Sequence, residues 1–186
     1  MKKTVSMLLA TLAAATLLTA CGKKPEAPAA AAPAAAQAIV IGLDDNFPPM
    51  GFRDDKGELV GFDIDVGKAV CERMAAKCSW VETSFEGLIP GLKAKKFDAI
   101  NSAMNITAKR RESIDFTVPI YIVPIQMVAR RDSKLTPTVA SLKGKTVGVL
   151  QGATQEDFVR KHWEKHGVKV VAYRDQAQTV TALSDR

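Results

Sequence analysis

The chain has 186 residues, a formal net charge of +6 and 47% hydrophobic residues, enough for a real core and about one ordinary domain beyond its leader. Its bases are scattered or interleaved with acids, as in Glu72-Arg73 and in Arg160-Lys161 followed by Glu164-Lys165. No aromatic-studded basic stripe occurs, which argues against a nucleic-acid partner. The N-terminus opens on the basic head Met1-Lys2-Lys3, and Val5 to Ala20 is apolar apart from Ser6 and a few threonines. That run is short for a bilayer span and reads as a secretory signal. It ends in Leu18-Thr19-Ala20-Cys21, which looks like a lipobox, so residues 1–20 are expected to be a lipoprotein signal peptide and Cys21 the lipidated new N-terminus. Residues 21–38 are almost wholly Ala and Pro with Lys23, Lys24 and Glu26. They lack branched and aromatic side chains to bury and are expected to form a semi-extended tether.

From Ile39 onward, strands and helices alternate. Ile39–Leu43 predicts a strand. Asp63–Lys77 predicts a helix with an apolar stripe of Val66, Ala69, Val70 and Met74, and Trp80–Thr83 predicts a second strand. Leu88, Ile89 and Leu92 mark a further helix, and Ala99-Ile100 centres a third strand. Beyond Pro119 and Pro124 lies an extended run, Ile125–Ala129. The pattern then resumes with strand Thr146–Leu150, helix Gln155–Lys165, strand Val168–Tyr173 and a helix opening at Gln176. Such alternation predicts an α/β fold with largely parallel sheets, and the interval Pro119–Pro124 reads as a crossing between two lobes, 39–122 and 123–186.

Ligands of open parallel sheets bind beyond the carboxyl ends of strands. Asp44 directly follows the first predicted strand, Ser102 and Asn105 follow the third, and Gly152-Ala153-Thr154-Gln155 follows Thr146–Leu150 and opens a helix. Arg110 carries a planar fork that matches a carboxylate bidentately, as Lys109 could not. Its neighbour Arg111 must point elsewhere if both are helical. Phe47 and Phe85 offer flat aromatic faces, for which core packing is the ordinary reading. Asp63 and Asp65 sit at a predicted helix start, where acids favour the dipole. His162 and His166 share a helical face with Glu164 between them, which is not the His-Glu-x-x-His order of a zinc protease, so they read as exposed helix decoration and no metal site is expected. Cys71 and Cys78, seven apart, are either a bridge or two free thiols; an exported chain favours the bridge.

Gly57-Glu-Leu-Val-Gly-Phe-Asp-Ile-Asp-Val66, then Phe97-Asp98-Ala99-Ile100, then Asn105-Ile-Thr-Ala-Lys-Arg-Arg111 form an ordered set. It resembles the extracytoplasmic solute-binding proteins of amino-acid ABC importers, most closely the histidine- and lysine/arginine/ornithine-binding branch. The resemblance implies a two-lobed periplasmic-binding-protein-like fold (type II), with the ligand held between hinged lobes. It implies a monomeric, non-enzymatic receptor without a cofactor, which hands a free L-amino acid to a membrane-embedded ABC permease. It also implies that Cys71 and Cys78 are bonded and that Arg110 holds the ligand's α-carboxylate. Phe47 and Phe85 then flank the side chain, and Asp44 receives a cationic end, although an aspartate after a strand often only caps a turn. Ser102, Ala103, Asn105 and Thr154 complete the set. Ala103 and Asn105 stand where the histidine binders carry serine, and Phe47 where relatives often carry tyrosine, which leaves the particular amino acid open. Relatives continue past residue 186, so the chain is expected to be C-terminally truncated, with the second lobe and the return to the first incomplete, and to bind its amino acid poorly or not at all. An alternative is an enzyme on the same fold, such as a periplasmic cyclohexadienyl-type dehydratase, which would need a cleft acid or base placed for elimination.

Overall fold

The computed structural model describes residues 36–185. The expected signal peptide, the lipidation site Cys21 and all but the last residues of the tether lie outside that range.

Three sheets are built in chain order. β1 (Ala38–Leu43) lies between β5 (Lys77–Glu82) and β6 (Ala99–Ile100), parallel to both. Between β1 and the helix α1 (Phe62–Arg73) runs an antiparallel meander of β2 (Asn46–Phe47), β3 (Gly51–Arg53) and β4 (Leu59–Val60), which the sequence pattern did not predict. Strands of two or three residues are too short to show a period. Further on, β7 (Thr146–Leu150) pairs in parallel with β8 (Lys169–Tyr173), flanked by α5 (Thr154–His162) and α6 (Gln176–Ser184). The remaining helices, α2 (Leu88–Lys93), α3 (Ala108–Arg111) and α4 (Val139–Leu142), are short.

Helix α1 corrects two expectations. It ends at Arg73 rather than Lys77, so Cys78 lies inside β5 and not ahead of it. Its buried face is Asp63, Ile64, Gly67 and Cys71, whereas Val70 and Met74 of the predicted stripe are about half exposed. The reason is Trp80: its ring lies against Gly67 so closely that no Cβ would fit there, and this contact rotates the helix. At the start of α1, the amides of Phe62 and Asp63 donate to the carbonyls of Pro49 and Met50. Gly61 makes that junction possible, with φ of 126° in a region closed to L side chains and the Met50 carbonyl where its Cβ would be.

Cys71 and Cys78 are joined by a disulfide that ties α1 to β5. Replacing both with serine should lower unfolding free energy by about 2–3 kcal/mol, the chain-entropy value for so short a loop. Urea melts of the double variant check this, and alkylation of the unreduced wild type must leave both sulfurs unlabelled. Two labelled thiols would refute the bridge.

The apolar centre is a cluster of Phe85, Leu88, Phe97, Leu150 and Ala153, with Val40, Leu92, Ile100 and Met104 against it. Leu150 and Ala153 come from the end of β7 and the turn into α5; the others belong to the first sheet and its helices. One core therefore joins both α/β halves. The run Ile125–Ala129, expected to be extended, forms no strand in the described residues, and Ile122 and Val128 are 91% and 77% exposed. The expected helix Gln155–Lys165 is divided between α5 and a 3-10 turn at Glu164–His166. His162 and His166 are exposed on these separate elements, with His162 tilted against Phe158.

Candidate functional site

The residues after β1, β6 and β7 meet at one end of the molecule. Asp44 follows β1 and is 3% exposed. Its amide donates to Ser102 Oγ at 2.9 Å, joining the ends of β1 and β6. Its Oδ1 accepts from the Asn46 amide at 3.0 Å, so it does cap a turn. Its Oδ2 is buried without a hydrogen-bond partner. A buried orphan oxygen is costly unless something else satisfies it. Burial is the main cause that raises the Asp44 carboxyl above its ordinary value; the Asn46 contacts and, more weakly, the Phe85 amide oppose it.

Arg110 is also buried, inside the four-residue helix α3, which Thr107 caps by accepting from the Arg110 amide. Nη1 donates to the Asn105 carbonyl at 2.7 Å and Nη2 to the Gly152 carbonyl at 3.0 Å. The guanidinium carbon stands 5.4 Å from the centre of the Phe85 ring. Two of its five N–H donors are thus in use, and three remain for an incoming group. Burial pulls the guanidinium below its ordinary value, with Asp157 opposing, yet a guanidinium stays charged. Arg111 behaves as the adjacent position should: it is exposed and lies over Phe116.

The halves touch here. Asn105 Nδ2 donates to Thr154 Oγ1 at 3.0 Å. Gly152 has φ of 74°, and a Cβ on it would stand 3.0 Å from Glu86 Cβ and 3.2 Å from Glu86 Cα. Glycine favours that approach, since a Cβ would press on Glu86 from a left-handed backbone.

The predicted residues therefore fall into two adjoining groups. Arg110, Asn105 and Thr154 are drawn together in a closed cluster. Asp44, with Ser102 behind it, lines a cavity of about 370 Å³ bounded by Asp45 and Glu82 on the first half and by Arg174, Asp175 and Gln178 on the second. Phe85 is common to both, with its ring at Arg110 and its amide towards Asp44. Phe47 is half-buried in β2, paired with Gly51. Ala103 is held in the left-handed region at φ 48°.

Ala103 leads to a residue whose role the sequence concealed. Its amide donates to Asp63 Oδ2 at 2.6 Å, and Tyr121 Oη donates to Asp63 Oδ1 at 2.9 Å. Asp63 stands in the first turn of α1, as expected, and is 1% exposed. It ties α1 to the loop carrying Ser102 and to the segment after Pro119. Burial pushes its carboxyl up, against the pull of Tyr121 and Ala103, and burial beside Asp63 also raises the Tyr121 phenol. Nothing in the run of residues around Asp63 announces these partners, which lie about 40 and 58 positions downstream. Among the described residues, no three His, Cys, Asp or Glu are grouped to hold a metal ion.

Two α/β halves, with polar side chains from the ends of their parallel strands converging between them, define a two-lobed binding fold of the periplasmic type. The chain belongs to the bacterial extracellular solute-binding proteins, family 3, whose sequence profile matches residues 39–183. It is 48% identical over 140 residues to the lysine/arginine/ornithine-binding periplasmic protein of Escherichia coli (strain K12), covering 75% of this chain and 54% of that protein. It is also 48% identical over 148 residues to the histidine-binding periplasmic protein of Salmonella typhimurium, covering 80% and 57%. Among solved structures, an ancestral arginine-binding protein bound to arginine superposes with a TM-score of 0.77 at 34% identity, covering 80% of this chain and 66% of that one. These relatives are binding proteins, not enzymes. The chain spans little more than half the length of the two curated relatives.

Proposed function

We propose that this protein is an exported receptor that captures a free basic L-amino acid, namely arginine, lysine, ornithine or histidine, for an ABC permease. The observation that carries the reading is Asp44: a buried carboxylate, with one oxygen unpartnered, lining an open cavity. A desolvated lone carboxylate is a poor structural choice and a good receptor for an ammonium or guanidinium. In this reading Arg110 takes the ligand's α-carboxylate with its remaining donors. Phe85 and Phe47 flank the side chain. Ser102, Asn105 and Thr154 supply neutral hydrogen bonds, and Ala103 shapes the loop between them. Residues 39–122 and 123–186 act as two lobes that close on the ligand. Residues 1–20 direct export, and lipid on Cys21 with the tether 21–38 holds the receptor at the membrane outside the cytoplasm. The names of the relatives, which are binders of histidine, lysine, arginine and ornithine, support the same ligand class.

Titration calorimetry with arginine, lysine, ornithine and histidine, against leucine and glutamate, tests the reading. Binding confined to the basic set is expected. Asp44→Asn should abolish the preference for a cationic side chain while keeping the turn-capping oxygen. The sign of the pH effect follows from the raised Asp44 carboxyl. Its contribution to folding is greatest below the ordinary 3.8 and is lost as pH rises through the raised value, so the ionised form at pH 7 costs stability. Asp44→Asn is therefore expected to be neutral or stabilising at pH 7, and wild-type affinity for arginine should fall as pH drops into that window. Equal binding of leucine and arginine would sink the proposal.

A further inference from the structure

The cavity beside Asp44 is walled from both halves, and its charge is unevenly matched. Asp44, Asp45 and Glu82 face it from the first half and Asp175 from the second, with Arg174 the one cationic residue of its lining. Arg53 already engages two of these acids, lying 3.7 Å from Asp45 and in a tight contact with Glu82. Asp44 and Asp175 have no ion pair among the described residues, and they face one space from opposite halves. Asp44 is 3% exposed with its Oδ2 unsatisfied, an observation that calls for a donor independently of the acidic lining. Asp175 is the N-cap of α6: its Oδ1 accepts from the Gln178 amide at 2.8 Å, so its second oxygen is not needed for the cap. A volume of about 370 Å³ lies within the range of small-molecule sites.

We infer that Asp175 is a specificity-determining residue: the second half supplies a carboxylate that, across the cavity from Asp44, selects a positively charged ligand side chain. The inference rests on the proposed amino-acid reading and deepens it. Asp44 alone would fix a cationic end from one side. With Asp175 opposite, the charge is read only when both halves face the ligand, so discrimination against an uncharged side chain of the same length is coupled to closure. The shape of the cavity does not provide this, since arginine and its neutral isostere citrulline fill nearly the same volume.

Asp175→Asn gives a clean test because asparagine is as good an N-cap as aspartate, so α6 keeps its start while the charge is removed. Calorimetric titrations of wild type and Asp175→Asn with arginine and with citrulline are compared at low and moderate salt. The expected result is a loss of about fivefold in arginine affinity with citrulline unchanged, a smaller salt dependence for arginine, and an unaltered thermal midpoint. An unchanged arginine-to-citrulline ratio in Asp175→Asn, with Asp44→Asn still losing the preference, overturns this inference alone. If the wild type binds leucine as well as it binds the basic amino acids, the underlying reading fails and the inference with it.

Discussion

Arg110→Ala should weaken arginine binding by about 2–5 kcal/mol, roughly 30- to several-thousand-fold. The guanidinium is buried between Asn105, Gly152 and Phe85, where a carboxylate meeting it gains a charge-assisted bond with little competition from water. Removing it leaves the ligand's carboxylate desolvated and unpaired. Arg110→Lys should recover only part of the loss, because an ammonium cannot bond both carbonyls and a carboxylate in one plane. Arg111→Ala is the internal control: its side chain lies outside the cluster, over Phe116, and affinity should not change. Thermal melts accompany the titrations, since Arg110→Ala also leaves two carbonyls without their donor. Near-wild-type affinity in a folded Arg110→Ala protein would remove this residue from the site.

The largest loss of stability is expected from Leu88→Ala, about 2–5 kcal/mol by urea denaturation. Leu88 is fully buried and belongs to the cluster that unites Phe85 and Phe97 with Leu150 and Ala153. Truncation would open a cavity that rigid neighbours on two sheets cannot fill. Val70→Ala, at an exposed position of α1, should cost under about 0.5 kcal/mol despite removing a similar group. Because Phe85 packs on the same cluster, Leu88→Ala should also weaken ligand binding at temperatures where the protein remains folded. Similar costs for the two variants would mean that the core lies elsewhere.

The alternation of strands and helices was legible because long elements impose their period on the sequence. β1, β7 and β8 were predicted to within a residue or two, and the turn after each strand end pointed to Asp44, Ser102, Asn105 and Thr154. The contrast between Arg110 and Arg111 was also available, since successive helical residues cannot share a face. The β2–β4 meander was not, because strands this short are specified by pairing with one another. The buried face of α1 is hidden for a related reason: hydropathy favours Val70 and Met74, while the fit of Trp80 on Gly67 turns the helix the other way.

The sequence by itself determined the class of fold, the positions of the polar residues at strand ends and the chemical character of each candidate side chain, because these depend on local pattern and residue type. Only the tertiary structure decided which of them are buried, which meet and which remain unsatisfied. It gave Asp63 its partners far along the chain, closed Arg110 on Gly152, left one oxygen of Asp44 without a donor and set Asp175 across the cavity. Burial and pairing are properties of the space between elements, and contacts spanning about 40 to 60 residues leave no periodic trace along the chain.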